Sequence, residues 1–399
     1  MVMRSAPAPR SEGDIIHPSA LPFVLIHLGC AAVIWTGVSA SAVVLGLALY
    51  WIRMFAITAG YHRLFSHRAY STGRAFQFVL AFLAQASGQK SVLWWAAKHR
   101  VHHLHSDTAE DPHSPRHGGV FRSHIGWIFD RRHDPTDMVK VADLADFPEL
   151  RWLHKYEAVP PILLASLCFL LAGWPGLVVG FCWSTTLLYH ATFSINSLAH
   201  LRGKVRYLTG DDSRNNILLA LLTMGEGWHN NHHACQSSAR QGFRWWEFDA
   251  SYAVLRALCA LGVVSGLKSP PEALVRHERP PSARAINRAA ARLTAQFKPE
   301  EVAAKIRAAL APIELSAVVE ALAHVPHQAG ELIAGLHLPH LPTRADFVRA
   351  ACRLTVPTVA VEHVVDRAGT LFLAAVGAHL RDLGFPKGCP EWRAPEASA

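Results

Sequence analysis

Apolar residues in this chain are gathered into long runs and are not spread evenly. Residues 21–60, LPFVLIHLGCAAVIWTGVSASAVVLGLALYWIRMFAITAG, hold no charge before Arg53. A helical membrane span takes roughly 20 apolar residues, so this run predicts two helices joined by a tight turn between Gly37 and Ser41. Residues 159–201 repeat the pattern and break at Gly173, Trp174, Pro175 and Gly176, which predicts a second helical hairpin. A third apolar stretch, Phe76 to Trp95, is interrupted by Gln85, Gly88, Gln89 and Lys90 and reads as re-entrant or interfacial. The expected fold is all-α: an integral membrane protein with four transmembrane helices in two hairpins and a cytoplasmic helical cap. Orientation follows from charge. The two predicted turns carry no Lys or Arg, whereas residues 60–158 carry thirteen, which assigns that loop and both termini to the cytoplasmic side.

The pattern changes after Leu267. Pro270, Pro271, Pro280 and Pro281 mark a linker, and an Ala-, Arg- and Leu-rich region with helical periodicity follows. Ile286, Leu293 and Phe297 fall on one stripe, read as a buried face. Arg284, Arg288 and Arg292 fall on another, suited to lipid phosphate. Further helices are expected near Glu300 to Ala311, Ile313 to Val325, Thr343 to Leu354 and Thr358 to Leu383. Glu362, His363, Asp366 and Arg367 argue against the last one spanning a bilayer. The expected organisation is a tail at 1–20, a membrane domain with its cap at 21–267, a linker at 268–282 and a helical region of unassigned role at 283–399. The opening MVMRSAPAPRSEGD is too short and polar to be a signal peptide.

Three histidine clusters stand beside the two apolar segments: His62 and His67 in HRLFSH, His99, His102 and His103 in HRVHH, and His229, His232 and His233 in HNNHH. Residues at i, i+3 and i+4 share one face of an α-helix. Each H-x-x-H-H box is therefore expected to present three ring nitrogens to a common point, and two boxes to hold two metals. A single histidine near an apolar helix is ordinarily a hydrogen-bonded core residue, but three clusters in this arrangement are not explained that way. The seven cysteines form no C-x-x-C pair and none lies inside a box, which argues against a closed Cys/His zinc site. Imidazole favours iron, copper, zinc or nickel. With an odd cysteine count and a reducing compartment, free thiols are expected. The net charge of +9 comes without a Lys/Arg-rich run suited to nucleic acid, so no nucleic-acid partner is expected. A basic face against anionic headgroups or an acidic substrate accounts for it.

The segments GYHRLFSHR (60–68), KHRVHHLHSDTAEDPHSP (98–115), SHIGWIF (123–129), NSLAH (196–200) and GDDSRNN followed by GEGWHNNHHA (225–234) resemble the membrane acyl-CoA desaturases of the stearoyl-CoA desaturase type, in a bacterial form. The resemblance implies two iron ions in a di-iron centre bound by nine histidines and no carboxylate: His62, His67, His99, His102, His103, His200, His229, His232 and His233. It implies that Asn196 reaches one iron through a water, and the i+4 relation of Asn196 to His200 puts both on one face. Trp95, Thr192 and Phe193 match positions near the acyl chain. Arg131 and Arg132 match a basic pair that contacts the nucleotide end of coenzyme A, and guanidinium forks suit phosphate. Ala97 and Lys98 stand where animal relatives carry Arg-Asp. Glu226, Asp107, Glu110 and Asp111 read as groups that hold imidazole N–H atoms in place.

The implied activity is O2-dependent desaturation of a long-chain saturated fatty acyl thioester, giving a cis double bond at Δ9, in a bacterial inner membrane with the active site facing the cytoplasm. The alternative is a fatty acyl or alkane hydroxylase with the same metal chemistry. Soluble di-iron proteins use two Glu-x-x-His motifs with the carboxylates as ligands, whereas Glu226, three residues before His229, reads here as a group that orients a ring. A metal carrier wants few, exchangeable ligands, and a haem protein would pair histidines inside the spans, where only His27 and His190 lie. No haem-binding H-P-G-G, ferredoxin-like cysteine pattern or G-x-G-x-x-G occurs. Electrons are therefore expected from an external donor protein, a ferredoxin or similar with its reductase.

Overall fold

The computed structural model describes residues 20–310, 339–353 and 360–382. Helix α1 (Leu21–Ala31) is prolonged by a turn at Val33–Thr36 and stops at Gly37, whose φ of 66° is open to glycine at little cost. The Ser39 hydroxyl then accepts from the Ala42 amide at 3.2 Å and starts α2 (Ala40–Phe55). Helix α2 runs without interruption into a π-helical stretch, Ala56–Ser66. Helices α3 (Arg74–Gln85) and α4 (Val92–His105) follow. In α3 the residues Leu80, Ala81, Ala84 and Gln85 are buried and the helix packs on the π-helical stretch. The Gln85 amide donates to the carbonyls of Leu153 and Glu157, so the polar residues that interrupt this apolar run anchor loops.

Helix α5 (Val159–Pro175) leaves helical geometry at Ala172 and Gly173. The chain turns back there: a methyl built on Gly180 would lie 3.8 Å from the Cys168 Cβ, twelve residues earlier. A second π-helical stretch, Gly176–Trp183, leads into α6 (Ser184–Ser197) and a tight turn at Leu198–His200. Gly176–Trp183 is the hub of this region, packed against α1, α2 and α5. Its small residues allow close approach, since a methyl on Gly46 of α2 would sit 3.0 Å from the Val179 carbonyl oxygen. Arg53, fully buried, is satisfied by the Leu49 carbonyl at 3.1 Å, Thr185 Oγ1 at 2.7 Å, Ser184 Oγ at 2.6 Å and the Ala86 carbonyl at 3.3 Å. One guanidinium thus ties α2 to α6 and to the turn after α3.

Among the described residues, two helices are long and apolar enough to cross a membrane: Ala40–Ser66, and Val159–His200 with its internal reversal. Leu21–Thr36 is apolar but shorter. Large apolar side chains on these segments face outward, among them Ile34 at 77%, Trp35 at 80% and Leu170 at 79% exposure. An outward apolar belt of this kind marks a surface covered by something other than water. Beyond α6 come α7 (Ile217–Leu222), α8 (His229–Ala234) and α9 (Ala250–Ala260), joined by loops. A two-residue antiparallel ribbon pairs Ser71–Thr72 with Val264–Ser265.

The chain divides into two compact units, and the second comprises Leu208–Gly210 and the residues from His277 onward. It contains α10 (Ala283–Gln296), α11 (Pro299–Leu310), α12 (Arg344–Arg353) and α13 (Val361–Asp382) around Ala289, Leu293, Phe347, Val364 and Phe372. Leu293 is fully buried, whereas Ile286 and Phe297 border this core. Arg288 donates to the Gly210 carbonyl at 2.5 Å, so part of the arginine stripe is engaged within its own unit. The buried face of α13 shows why it is apolar without being a span. The helix expected at Ile313 to Val325 lies outside the described residues.

Gly46→Leu is expected to force α2 away from Gly176–Trp183 and to cost about 1–3 kcal/mol. The measurement is the melting temperature of the purified protein in detergent, which should fall by several degrees.

Candidate metal centre

The π-helical stretch explains the H-x4-H spacing. In a π-turn the hydrogen bond runs between residues five apart, and the His67 amide donates to the His62 carbonyl at 3.2 Å. This winding stacks position 67 over position 62 and brings their rings to 4.9 Å between centroids. An α-helix would have rotated them apart.

The two H-x-x-H-H boxes depart from expectation. Neither gives three nitrogens to one point. His99 and His103 of α4 join His62, His67 and His232 in a first nest, while His102 joins His200, His229 and His233 in a second. Within each nest the candidate ligand atoms all lie within 4.8 Å of one another. The reason is helical geometry. At about 100° per residue, i+3 and i+4 lie on opposite flanks of i, so the i, i+4 pair faces one nest and i+3 faces the other. Box three mirrors box two, sending His229 and His233 to the second nest and His232 to the first.

Nitrogen separations are short throughout. His67 and His99 Nε2 are 2.8 Å apart, His99 and His103 3.0 Å, His103 and His232 2.9 Å, His62 and His232 3.0 Å, and His200 and His229 3.0 Å. Two nitrogens, each about 2.1 Å from one ion and set at right angles, stand about 3 Å apart. Carboxylates fix which nitrogen faces inward. The Nδ1 atoms of His102, His200 and His233 donate to Asp111 at 3.1 Å, Asp107 at 2.9 Å and Asp211 at 2.8 Å, and that of His62 to Glu226. With Nδ1 protonated, each Nε2 presents a lone pair to the nest. His233 Nε2 is buried without a hydrogen-bond partner. Lone pairs gathered around a point with no donor between them fit a cation, and the donor set suits a transition metal such as iron.

The outer carboxylates stay ionised. Burial alone would raise Asp107, Asp111, Asp211 and Glu226, but their histidine partners outweigh it and hold all four below the usual carboxylate range. Glu226 also meets the fully buried Arg63 at 3.2 Å, which pairs with Asp249 at 3.0 Å. Glu110, in contrast, is exposed and accepts from Thr108, so it holds no ring. Asp211 does its equivalent work and was missed, although it stands in GDDSRNN between the last two groups of histidines. His113 was missed as well. It is buried, its ring centroid lies 4.6 Å from that of His102, and it groups with His102 and Asp111.

The six-residue helix α8 is too short to hold itself, and its two asparagines anchor it. Asn230 Oδ1 accepts from the Arg206 and Tyr207 amides, both at 2.7 Å, and Asn231 Nδ2 donates to the Gln241 carbonyl and to Glu247, both at 2.9 Å. Both asparagines are fully buried.

A cavity of about 600 Å³ reaches the first nest at His99. Trp95, Thr192, Phe193, Asn196 and His113 line it. The Trp95 ring stacks on His99 at 4.9 Å, and Gln89 donates to Thr192 across the cavity wall at 2.9 Å. Arg131 and Arg132 are exposed and outside the cavity lining, and Arg132 closes on Asp130. The two span histidines do meet: His27 Nε2 lies 3.2 Å from His190 Nε2, and His190 Nδ1 lies 3.0 Å from His124 Nε2. Both nitrogens of His190 are thereby taken up by hydrogen bonds, which leaves neither for a haem iron.

A helical protein with two adjoining imidazole nests, the first of them open to a mostly apolar cavity, fits the class of membrane-associated, metal-dependent lipid oxidoreductases. Residues 38–265 match the fatty acid desaturase family, and the chain belongs to it. It is 38% identical over 253 residues to the sn-1 stearoyl-lipid 9-desaturase of Anabaena variabilis, covering 63% of this chain and 93% of that relative. It is 36% identical over 251 residues to an acyl-CoA 5-desaturase of Anemone leveillei, covering 62% and 78%. To the palmitoyl-monogalactosyldiacylglycerol delta-7 desaturase of Arabidopsis thaliana it is 36% identical over 239 residues, covering 58% and 63%. The protein is a desaturase, an oxidoreductase of lipid metabolism.

Two outcomes follow from the nests. Asp211→Asn is expected to lower metal affinity about 10- to 100-fold by loosening His233, measured as metal content after dialysis against a graded chelator. The second concerns pH. Burial first, and then neighbouring rings, hold His99, His103, His229 and His232 well below the ordinary imidazole value of 6.5. Unfolded rings therefore bind protons that these four folded rings refuse, so their contribution to the stability of the metal-free protein is complete above about pH 6.5 and is lost as pH falls further, against the opposite contribution of His200, which Asp107 holds above the ordinary value in spite of its burial. Melting temperatures of metal-stripped protein should decline across that window, and a flat profile down to about pH 5 would contradict the assignment of neutral rings.

Proposed function

We propose that the protein is a di-iron, O2-dependent fatty acyl desaturase that inserts a cis double bond at Δ9 of a saturated long chain. His62, His67, His99, His103 and His232 would hold one iron, and His102, His200, His229 and His233 the other, with Asn196 acting through a water. When bound, the iron pair supplies the reducing site for O2 that abstraction of hydrogen from an unactivated methylene requires. Overall, –CH2–CH2– with O2, two electrons and two protons gives –CH=CH– and two waters. The electrons come from an external donor protein. Four apolar helices, α1, α2, α5 and Gly176–Ser197, would cross the bilayer as two hairpins with the nests on the cytoplasmic side.

The protein's own groups position the reaction. Asp107, Asp111, Asp211 and Glu226 orient four rings. Trp95 braces His99, and Thr192, held by Gln89, shapes the cavity beside Phe193. Apolar walls exclude water from the reacting methylenes. The observation that carries this reading is the contact of the mostly apolar cavity with the first nest at His99. The relatives' names place the acyl group on lipids in some cases and on coenzyme A in others, and the expected thioester is one of these carriers.

Expression in a host lacking monounsaturated lipids tests the proposal. Wild type should restore a monoene detected by gas chromatography, and His103→Ala should not. Equal activity of the two would remove the ligand role, and a hydroxy acid as product would favour the hydroxylase.

A further inference from the structure

Two features of the cavity bear on what carries the acyl chain. The first is its outer wall. Phe23 and Leu25 of α1 stand on one side, and Ala158, Ile162 and Ala165, at and within the start of α5, on the other. Leu25 and Ile162 line the cavity and yet are 55% and 60% exposed, so the cavity opens sideways between the first turns of two apolar helices. The far ends of the two segments meet, because Val33–Thr36 packs on α5.

The second feature is the charge on the rim. Lys90 and Lys98 face the cavity together with Asp134 and Glu157, two cations against two anions. Lys90 is paired with Asp134 and lies 5.3 Å over the Trp94 ring. Close by in sequence, Arg122 and Arg132 both close on Asp130, at 2.7 Å and 2.6 Å. Recognition of a polyphosphate calls for guanidinium or ammonium groups left uncompensated. This rim is charge-balanced.

We propose that the substrate chain belongs to a membrane glycerolipid and slides into the cavity sideways, between α1 and α5, instead of arriving from water on coenzyme A. This rests on the reading of the protein as a membrane desaturase. A tail that moves from bilayer to cavity never crosses water, a transfer that costs free energy for every methylene exposed. The ester of the lipid stays at the interface, at the level where α5 begins.

The test uses full-length, iron-loaded protein in dioleoylphosphatidylglycerol vesicles with a reduced ferredoxin system. One arm carries 1-stearoyl-2-oleoylphosphatidylglycerol with a perdeuterated stearoyl chain, and the other receives perdeuterated stearoyl-CoA in the water phase. Mass spectrometry of the intact products should find labelled monoene in the glycerolipid, formed faster than in the thioester arm. Faster formation of monoenoyl-CoA overturns the proposal. No monoene in either arm, with iron bound and reduced, fails the desaturase reading itself. Leu25→Trp and Ile162→Trp fill the side opening from the outer surface and are expected to slow the lipid arm about tenfold, a barrier rise of about 1.4 kcal/mol. An unchanged rate with unchanged iron content overturns the lateral route.

Discussion

The site depends on one electrostatic constraint: nine imidazoles are gathered into two nests, and in four of them a carboxylate on Nδ1 turns the Nε2 lone pair inward. Such an arrangement is unfavourable unless a cation fills it, and the protein maintains it from behind. Three aspartates and one glutamate take the outer Nδ1 protons, and Arg63 spans Glu226 and Asp249 to hold the glutamate in turn. Each carboxylate therefore has two tasks, fixing a tautomer and aiming a ring. Removing one partner from such a buried pair leaves an uncompensated charge, which is far more costly than losing an exposed pair.

The apolar frame positions these rings through its irregularities. Winding from α to π geometry at Ala56 lets the end of a long apolar helix present His62 and His67 to the first nest. The reversal at Ala172 and Gly173 brings Gly176–Trp183 into contact with α1 and α2, and α6 then delivers Asn196 to the cavity and His200 to the second nest. Polar residues within the apolar runs are spent on anchoring. Arg53, Gln85 and Gln89 each satisfy backbone or hydroxyl partners on other segments, as polar groups in a low-dielectric setting must.

Much of this was legible in the residues. The turn at Gly37, the break near Gly173, the helical character of the chain and the gathering of histidines follow from apolar run length and from spacing. The division of each box between two nests was not legible, because i, i+3 and i+4 share a face only coarsely, and which flank meets which nest depends on packing partners far away in sequence. Asp211 escaped notice for a related reason. It reaches His233 across 22 residues through a loop with no periodicity. Glu110 looked equivalent to Asp111 by position, yet one residue of offset after α4 turns it to solvent.

The allotment of adjacent residues to different nests has a consequence for assembly. His102 and His103 are neighbours on one helix, and His232 and His233 on another, so each helix is common to both nests. For a chain that takes up two ions, the first to bind would order the backbone that carries three of the five rings of one nest and three of the four of the other. The entropy of that ordering is then already spent when the second ion arrives.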